Sequence, residues 1–336
     1  MVGQKDIALR RFYKIIVMSK KVLANDGVSQ SGIDKLKAAG YDVITTNVAQ
    51  DQLQEYINKH EISVLLVRSA TTARKDLIDN CPSLKVIGRG GVGMDNIDVQ
   101  YARDKGLKVI NTPAASSGSV AELVFAHLYG GVRFLYDSNR NMPLEGDKNF
   151  KGLKKAYAKG VELRGKTIGI IGIGRIGQEV AKIAAGVGMK VIAYDSFAEK
   201  NPTVSWKLFD GQEITVEIPL VEKEELIKTS DFITLHVPAQ KEYVLGEKEF
   251  EMMKNGAAVV NAARGGILDE VALVNALESE HLSFAALDVF EKEPAPEVTL
   301  MMNSKLSLTP HIGAATNEAQ DRIGEELADQ IIGILG

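Results

Sequence analysis

"IIGIGRIG", residues 170–177, is the stretch that decides the fold. The apolar residues at its start read as the end of a strand, and "RIGQEVAKIAAG" reads as the helix that follows. Gly172, Gly174 and Gly177 mark the turn between them. A second strand pattern, "KVIAYD", ends in Asp195, 18 residues beyond Gly177. Glycines so spaced let backbone N–H groups and the positive end of a helix approach a pyrophosphate, while a carboxylate ending the next strand accepts hydrogen bonds from ribose hydroxyls. Asp195 would repel a 2′-phosphate, and Ser196 carries no charge to offset that repulsion. NAD rather than NADP is therefore expected.

The turn falls at the middle of a 336-residue chain, which is longer than one ordinary domain core needs. With 45% hydrophobic and 25% charged residues the chain reads as globular, and two α/β domains are expected. A net charge of −4 and a pI near 5.9 give no general electrostatic reason to hold nucleic acid. Lone Cys81 makes neither an intrachain disulfide nor a metal–thiolate set, so a reducing, cytoplasmic setting and no metal are expected. No apolar run is long enough for a bilayer, and "MVGQKDIALRR" has charges where a signal peptide is hydrophobic. Residues 1–12 are set aside as an extension outside the fold.

Short β-branched runs alternate with helical patterns on both sides of the turn. Before it, strands are expected at "KIIVM", "DVITT", "SVLLVR", "LKVIGR" and "KVINT", with helices at "GIDKLKAAG" and "DQLQEYINKH". A second series runs through "TIGIIG", "KVIAYD", "FITLHV", "AAVVNAAR", "AALDVF" and "LSLTPHI", with "DEVALVNALESE" among its helices. That order implies right-handed βαβ crossovers and two parallel sheets in tandem. Two stretches interrupt the alternation. "SSGSVAELVFAHLYGGVRFLYDSN" predicts one long helix, apolar on more than one face, which suits an interdomain helix or a subunit interface. "TVSWKLFDGQEITVEIP" predicts a hairpin, with Val204, Trp206 and Leu208 on one face and Ile214, Val216 and Ile218 on one face of the return run.

Open parallel sheets bind ligands at the carboxyl ends of their strands. Three consecutive strands of the second series end in chemistry: "VVNAAR" in Arg264, "ALDVFEKE" in Glu293 and "LSLTPH" in His311. Arg264 can hold a carboxylate and polarise an adjacent carbonyl. His311 can exchange the proton of the neighbouring hydroxyl, and Glu293 can orient its ring. Each has an ordinary structural reading: a surface ion pair for Arg264, a solvated acidic run for Glu293, a packed histidine for His311. Their convergence beside a nucleotide turn favours the catalytic one. His60 can cap a helix, His127 lies within the long helix and His281 lies in a loop. His236 in "TLHVP" is the real rival for the proton transfer, yet Pro238 after it suits a wall of the nucleotide cleft.

These motifs carry a resemblance. Over residues 14–335, "GIGRIG", "TLHVP", "NAARGG", "LDVFEKEP" and "TPHIGAAT" resemble the D-isomer-specific 2-hydroxyacid dehydrogenases. The resemblance implies that Arg264, Glu293 and His311 are catalytic, that Arg175, Ile176 and Asp195 contact NAD, and that Asp288 binds the nicotinamide amide. His236, Val237, Pro238, Ala262, Ala263, Gly313 and Ala314 match further positions of the cofactor cleft. It also implies a Rossmann-like NAD domain, residues 113–316, inserted into a flavodoxin-like substrate lid, residues 13–112 plus 317–336, with the active site in the cleft between them.

In the lid, Gly91, Val92 and Gly93 offer N–H groups to an anion, and Arg68, Ser69 and Arg89 suit a substrate with a phosphate as well as a carboxylate. "VRSAT", "IGRGGVGMDN", "NTPAASSGSVAEL" and "GVELRGKT" most resemble the family members that act on D-3-phosphoglycerate, which implies that acid and its 2-keto partner as substrates. Lysines 148, 151, 154, 155 and 159 read as a solvated connector. The chain ends 25 residues after His311, which leaves no room for the C-terminal regulatory domain of longer members. A glyoxylate or hydroxypyruvate reductase would use the same catalytic set. A formate dehydrogenase is disfavoured by Glu293 where that group carries Gln, and an NAD-sensing corepressor lacks a recruiting tail here. A homodimer or higher homo-oligomer is expected.

Overall fold

The computed structural model describes residues 20–336, which form two compact units. One is made of residues 20–116 together with Asn317–Gly336, and the other is the continuous segment Ser117–Thr316 between them. The expected strand "KIIVM", residues 14–18, lies outside the described residues.

The first unit is built on a parallel sheet of β1 (Lys21–Ala24), β2 (Asp42–Ile44), β3 (Val64–Val67), β4 (Val86–Arg89) and β5 (Lys108–Asn111), in the order β2-β1-β3-β4-β5. This is the flavodoxin-like order expected for the lid. Strand β1 occupies "KVLA", which follows the more apolar run where the first strand is expected. All four residues of β3 are buried, as a strand covered by helices on both faces requires. Helices α1 (Gln30–Ala38), α2 (Leu53–His60), α3 (Lys75–Asn80) and α4 (Val99–Asp104) connect the strands. The last helix, α12 (Asn317–Leu335), returns to pack on α1. Their contact needs glycine: a Cβ on Gly32 would lie 2.7 Å from the Gly324 backbone.

The second unit carries β6 (Thr167–Ile171), β7 (Lys190–Tyr194), β10 (Phe232–Leu235), β11 (Ala257–Asn261), β12 (Leu282–Leu287) and β13 (Leu306–Leu308), all parallel, ordered β13-β12-β11-β10-β6-β7. The order reverses between β6 and β10, because β6 is followed outward by β7 and the chain then returns to the other side. That reversal opens a crevice at the carboxyl ends. Between β7 and β10 stands the expected hairpin, β8 (Thr203–Lys207) and β9 (Glu213–Glu217), paired antiparallel through Val204↔Val216 and Trp206↔Ile214. Val204 and Ile218 are buried in the core, and Trp206 and Val216 pack against it.

The single long helix expected from residue 116 to 139 is two helices. The first, α5 (Ser117–Val132), ends where Phe134 adopts φ 55°, and α6 (Leu135–Ala156) starts a new direction. Near the end of α5, Gly131 lets the helix approach β12 closely, since a Cβ there would meet the Phe284 ring at 2.1 Å. The apolar faces of α5 are covered by its own unit: Val120, Ala121, Val124, Phe125, Leu128 and Val132 are core residues. Lys148, Lys151, Lys154 and Lys155 are exposed on α6, and Lys159 is exposed just beyond it. Among the described residues no helix is long and apolar enough to cross a membrane.

Candidate active site

Local backbone geometry builds the nucleotide turn. Gly172 leaves β6 at φ 95°, and a Cβ on it would sit 2.6 Å from the His236 carbonyl oxygen. A Cβ on Gly177 would lie 2.2 Å from the Gly172 carbonyl oxygen, so helix α7 (Arg175–Val187) packs on the turn only because this residue has none. No side chain caps α7 at Gly174. Its first N–H groups therefore keep their capacity for an anion. Asp195 follows β7, where its carboxylate accepts the N–H of Ile173 at 2.9 Å and of Phe197 at 2.9 Å. The acid is thereby fastened to the turn it is expected to serve.

Opposite the turn, His236 follows β10. Burial pushes its imidazole down to about 3, so the ring is neutral at pH 7. Nε2 bonds the Thr234 hydroxyl at 2.9 Å, while Nδ1 is buried with no hydrogen-bond partner among the described residues. A buried unsatisfied nitrogen is costly, and at this place it fits a polar group of a bound cofactor. Val237 closes on the turn, its Cγ1 lying 2.9 Å from a Cβ built on Gly172, and Pro238 continues the exit from the strand. Ala262 and Ala263 are buried at the exit of β11.

The three catalytic candidates stand at one edge of the sheet. Arg264 lies three residues past β11 and His311 three past β13, with Glu293 six past the intervening β12. Arg264 Nη1 donates to the Ala263 carbonyl at 2.6 Å. The Asn261 amide holds the Arg264 carbonyl at 2.9 Å. Glu293 Oε1 accepts the Phe290 N–H at 3.0 Å, and Oε2 lies 2.8 Å from His311 Nδ1. A carboxylate only accepts, so Nδ1 carries the proton and Nε2 is left as the nitrogen that gains or loses one. Both side chains are a little over one-third exposed, as groups that must meet a substrate should be.

His311 itself is held at φ 56°, a left-handed conformation costing a non-glycine residue on the order of 1–3 kcal/mol. Asp288, 1% exposed, offsets that cost. Its Oδ1 accepts the Ile312 N–H at 2.8 Å and its Oδ2 the Gly313 N–H at 2.8 Å. Two bonds to a charged acceptor contribute about 1.5–3 kcal/mol each, enough to hold the turn. Asp288 thus bonds its own chain at the place where a cofactor contact is expected from the sequence. Gly313 and Ala314 continue that turn.

In the other unit, Arg68 and Ser69 follow β3 and Arg89 ends neighbouring β4. The loop after β3 is braced by two residues that the sequence reading misses. Asp26 accepts the N–H groups of Arg68 at 2.6 Å and Thr71 at 3.0 Å, and the Asn96 amide donates to both carbonyls, at 2.8 and 2.6 Å. Gly91 has φ 141°, and a Cβ there would fall 1.6 Å from Arg89 Nη1, so the arginine folds across this glycine. Val92 and Gly93 complete the stretch, and Val92 O accepts from the Asn111 amide at 2.7 Å. The polar residues beside Asp26 are the only local signal for that brace.

Residues 125–313 match the family profile described as D-isomer specific 2-hydroxyacid dehydrogenase, NAD binding domain. This chain belongs to that family. Its nucleotide turn, Asp195 and the orphaned His236 nitrogen are accordingly parts of an NAD-binding domain, and they suit the cofactor. A D-3-phosphoglycerate dehydrogenase of Methanocaldococcus jannaschii is 40% identical over 317 residues, covering 94% of this chain and 57% of that relative. The chain thus spans a little over half the length of that relative. A hydroxypyruvate reductase of Thermotoga maritima is 42% identical over 300 residues, covering 88% of this chain and 91% of the relative. Among solved structures, the TT0316 protein of Thermus thermophilus superposes with a TM-score of 0.82 at 29% identity, over 94% of this chain and 96% of that one.

One cavity lies elsewhere. About 520 Å³ opens at the amino edge of the second unit's sheet, lined by Tyr136, Tyr157, Lys166, Asp231, Lys254 and Phe284 among others. None of the catalytic candidates borders it. The catalytic candidates stand at the opposite strand ends. Among the described residues no three His, Cys, Asp or Glu side chains are grouped to hold a metal ion.

Proposed function

We propose that this chain is an NAD-dependent oxidoreductase acting on a D-2-hydroxy acid and its 2-keto partner, with 3-phosphohydroxypyruvate as the preferred keto acid. The carrying observation is the 2.8 Å bond from Glu293 to His311 at the strand edge that also presents Arg264. NAD(H), when bound, takes up or supplies the hydride at the substrate's C2. His311 Nε2 gives a proton to the carbonyl oxygen in reduction and accepts it from the hydroxyl in oxidation. Glu293 holds the ring by Nδ1, which leaves Nε2 for the substrate. Arg264 grips the carboxylate and polarises the neighbouring carbonyl.

Residues Gly172, Gly174, Arg175, Ile176, Gly177 and Asp195 hold the dinucleotide on one side of the crevice, and His236–Pro238, Ala262, Ala263, Asp288, Gly313 and Ala314 line the other. Residues 113–316 are accordingly assigned as the NAD domain. Residues 13–112 with 317–336 are assigned as the substrate domain, where Arg68, Ser69, Arg89 and the Gly91–Gly93 backbone bind the anionic groups of the substrate. The name of the Methanocaldococcus jannaschii relative supports the phosphorylated substrate, and the paired lid arginines fit it. Assembly as a homodimer is supported by apolar side chains exposed on α6. The single cysteine, Cys81, is buried and supports a reducing, cytoplasmic setting.

Hydroxypyruvate reduction is the second reading, favoured by the match in length to the Thermotoga maritima relative. The test is NADH oxidation with 3-phosphohydroxypyruvate beside hydroxypyruvate, glyoxylate and pyruvate. A kcat/KM highest for the phosphorylated acid bears out the first reading. One at least as high for hydroxypyruvate establishes the second, and no turnover with any of them overturns both.

A further inference from the structure

We propose that His127, in the interior of α5, is a positioning residue for His311, acting through Thr309 and Asp288. This rests on the reading of His311 as the proton-transfer residue. His127 is 4% exposed and lies among the apolar side chains of Val124, Phe125 and Leu128, where an imidazole is costly unless both nitrogens are bonded. Both are. Nδ1 is 2.8 Å from the Ser307 hydroxyl and Nε2 is 3.1 Å from the Thr309 hydroxyl.

The direction of every proton in this row is fixed by its far end. Thr309 Oγ1 stands 2.6 Å from Asp288 Oδ1, and a carboxylate has no proton to give, so the threonine O–H donates to it. That hydroxyl has only one proton. Its oxygen must therefore accept from His127, which puts the imidazole proton on Nε2 and leaves Nδ1 to accept the Ser307 O–H. Burial lowers the pKa of His127, which keeps this neutral tautomer. The result is an ordered row, Ser307 to His127 to Thr309 to Asp288, in which each donor points toward the carboxylate.

The row ends on the group that shapes the catalytic turn. Asp288 takes the N–H groups of Ile312 and Gly313, the two residues after His311, while the Thr309 carbonyl accepts the His311 N–H at 3.1 Å. Thr309 is thus bonded to His311 by its main chain and to His127 by its side chain. Removing the His127 donor frees the Thr309 rotamer, weakens its bond to Asp288 and loosens the left-handed turn that aims the His311 ring. Ser307 and His127 are not themselves among the residues assigned to the dinucleotide, but Asp288 and Gly313 at the end of the row are, so kcat is compared at saturating NADH.

The test is steady-state reduction of 3-phosphohydroxypyruvate and NADH binding by fluorescence for the parent, His311→Ala, His127→Leu, His127→Gln, Thr309→Val and the His127→Leu/Thr309→Val double variant. Loss of His127 is expected to lower kcat, measured at saturating NADH, by roughly 10- to 100-fold, a larger effect than any change in NADH affinity. The double variant is expected to be no slower than Thr309→Val alone, because both changes break one row. His127→Gln, which keeps a donor toward Thr309, is expected to recover most of the rate. Parental kcat in His127→Leu alongside an inactive His311→Ala overturns the positioning role and leaves the catalytic reading standing. Full turnover in His311→Ala overturns the catalytic reading itself. Where His127→Leu does not fold, Thr309→Val decides, and parental kcat there also overturns the proposal.

Discussion

Glu293 Oε2 stands 2.8 Å from His311 Nδ1 across 18 residues of sequence, and that one bond assigns the ring its tautomer. The other nitrogen, Nε2, is the one proposed to exchange a proton with the substrate. Replacing His311 by Ala is expected to lower kcat by on the order of 10²- to 10⁴-fold with NADH affinity nearly unchanged. Glu293→Gln can turn either its amide oxygen or its amide nitrogen to Nδ1, so it no longer imposes one tautomer, and kcat is expected to fall with NADH affinity nearly unchanged. Parental kcat in that variant would refute the orienting role.

Asp195 is expected to set the cofactor preference. Its carboxylate accepts the N–H groups of Ile173 and Phe197, which fix it beside the turn proposed to bind the dinucleotide. A 2′-phosphate brought to the same place meets a fixed negative charge. Asp195→Ala is expected to cut kcat/KM with NADH by about 10- to 100-fold, the loss of one or two bonds to a charged acceptor, and to narrow the gap to NADPH. Equal efficiency with NADPH in the unaltered protein runs against the assignment.

The strand ends are legible in the sequence because the information is local. In "VVNAAR", "ALDVFEKE" and "LSLTPH" a buried run and its terminal functional group lie within a few residues of each other, so periodicity and chemistry are read together. The hairpin is legible for the same reason, its two alternating faces flanking Asp210-Gly211. Other features depend on distant partners. The packing of Gly131 on Phe284, more than 150 residues away, is one of them. His127 looks like any polar residue within an apolar helix until Ser307 and Thr309 arrive beside it from β13 and its exit. Asp288 reads in sequence as a cofactor ligand, yet its bonds to Thr309, Ile312 and Gly313 appear only once the chain turns back.

Assembly is expected to run through α6 rather than α5. The core of its own unit covers α5, but α6 buries only Leu153 and leaves Leu135, Leu144 and Phe150 at 60, 78 and 59% exposure. Apolar side chains of that size, exposed on both sides of a kink at Asn149 within α6, suit an isologous contact with a second copy. Sedimentation at micromolar concentration is expected to show a dimer, and Leu144→Glu with Phe150→Glu to raise its dissociation constant by on the order of 10-fold or more. A monomer in the unaltered protein removes the basis for this interface.

His236 is expected to make the protein acid-sensitive. Burial holds the folded-state value at about 3, whereas an exposed imidazole in the unfolded chain titrates near 6.5. Below the unfolded value, the unfolded chain binds a proton that the folded ring refuses, so stability falls as the pH drops. The slope from this one group is about 1.4 kcal/mol per pH unit, and the loss continues until the folded value is reached. Above about pH 7 both states are neutral here and the contribution is flat. His236→Gln removes the titration while retaining polar atoms toward Thr234, so its melting temperature is expected to fall less steeply than the parent's between about pH 6 and pH 4. Carboxylates that also titrate in this range are common to both proteins and cancel in the difference. Parallel melting curves across the interval would show that the imidazole is not held neutral by the fold.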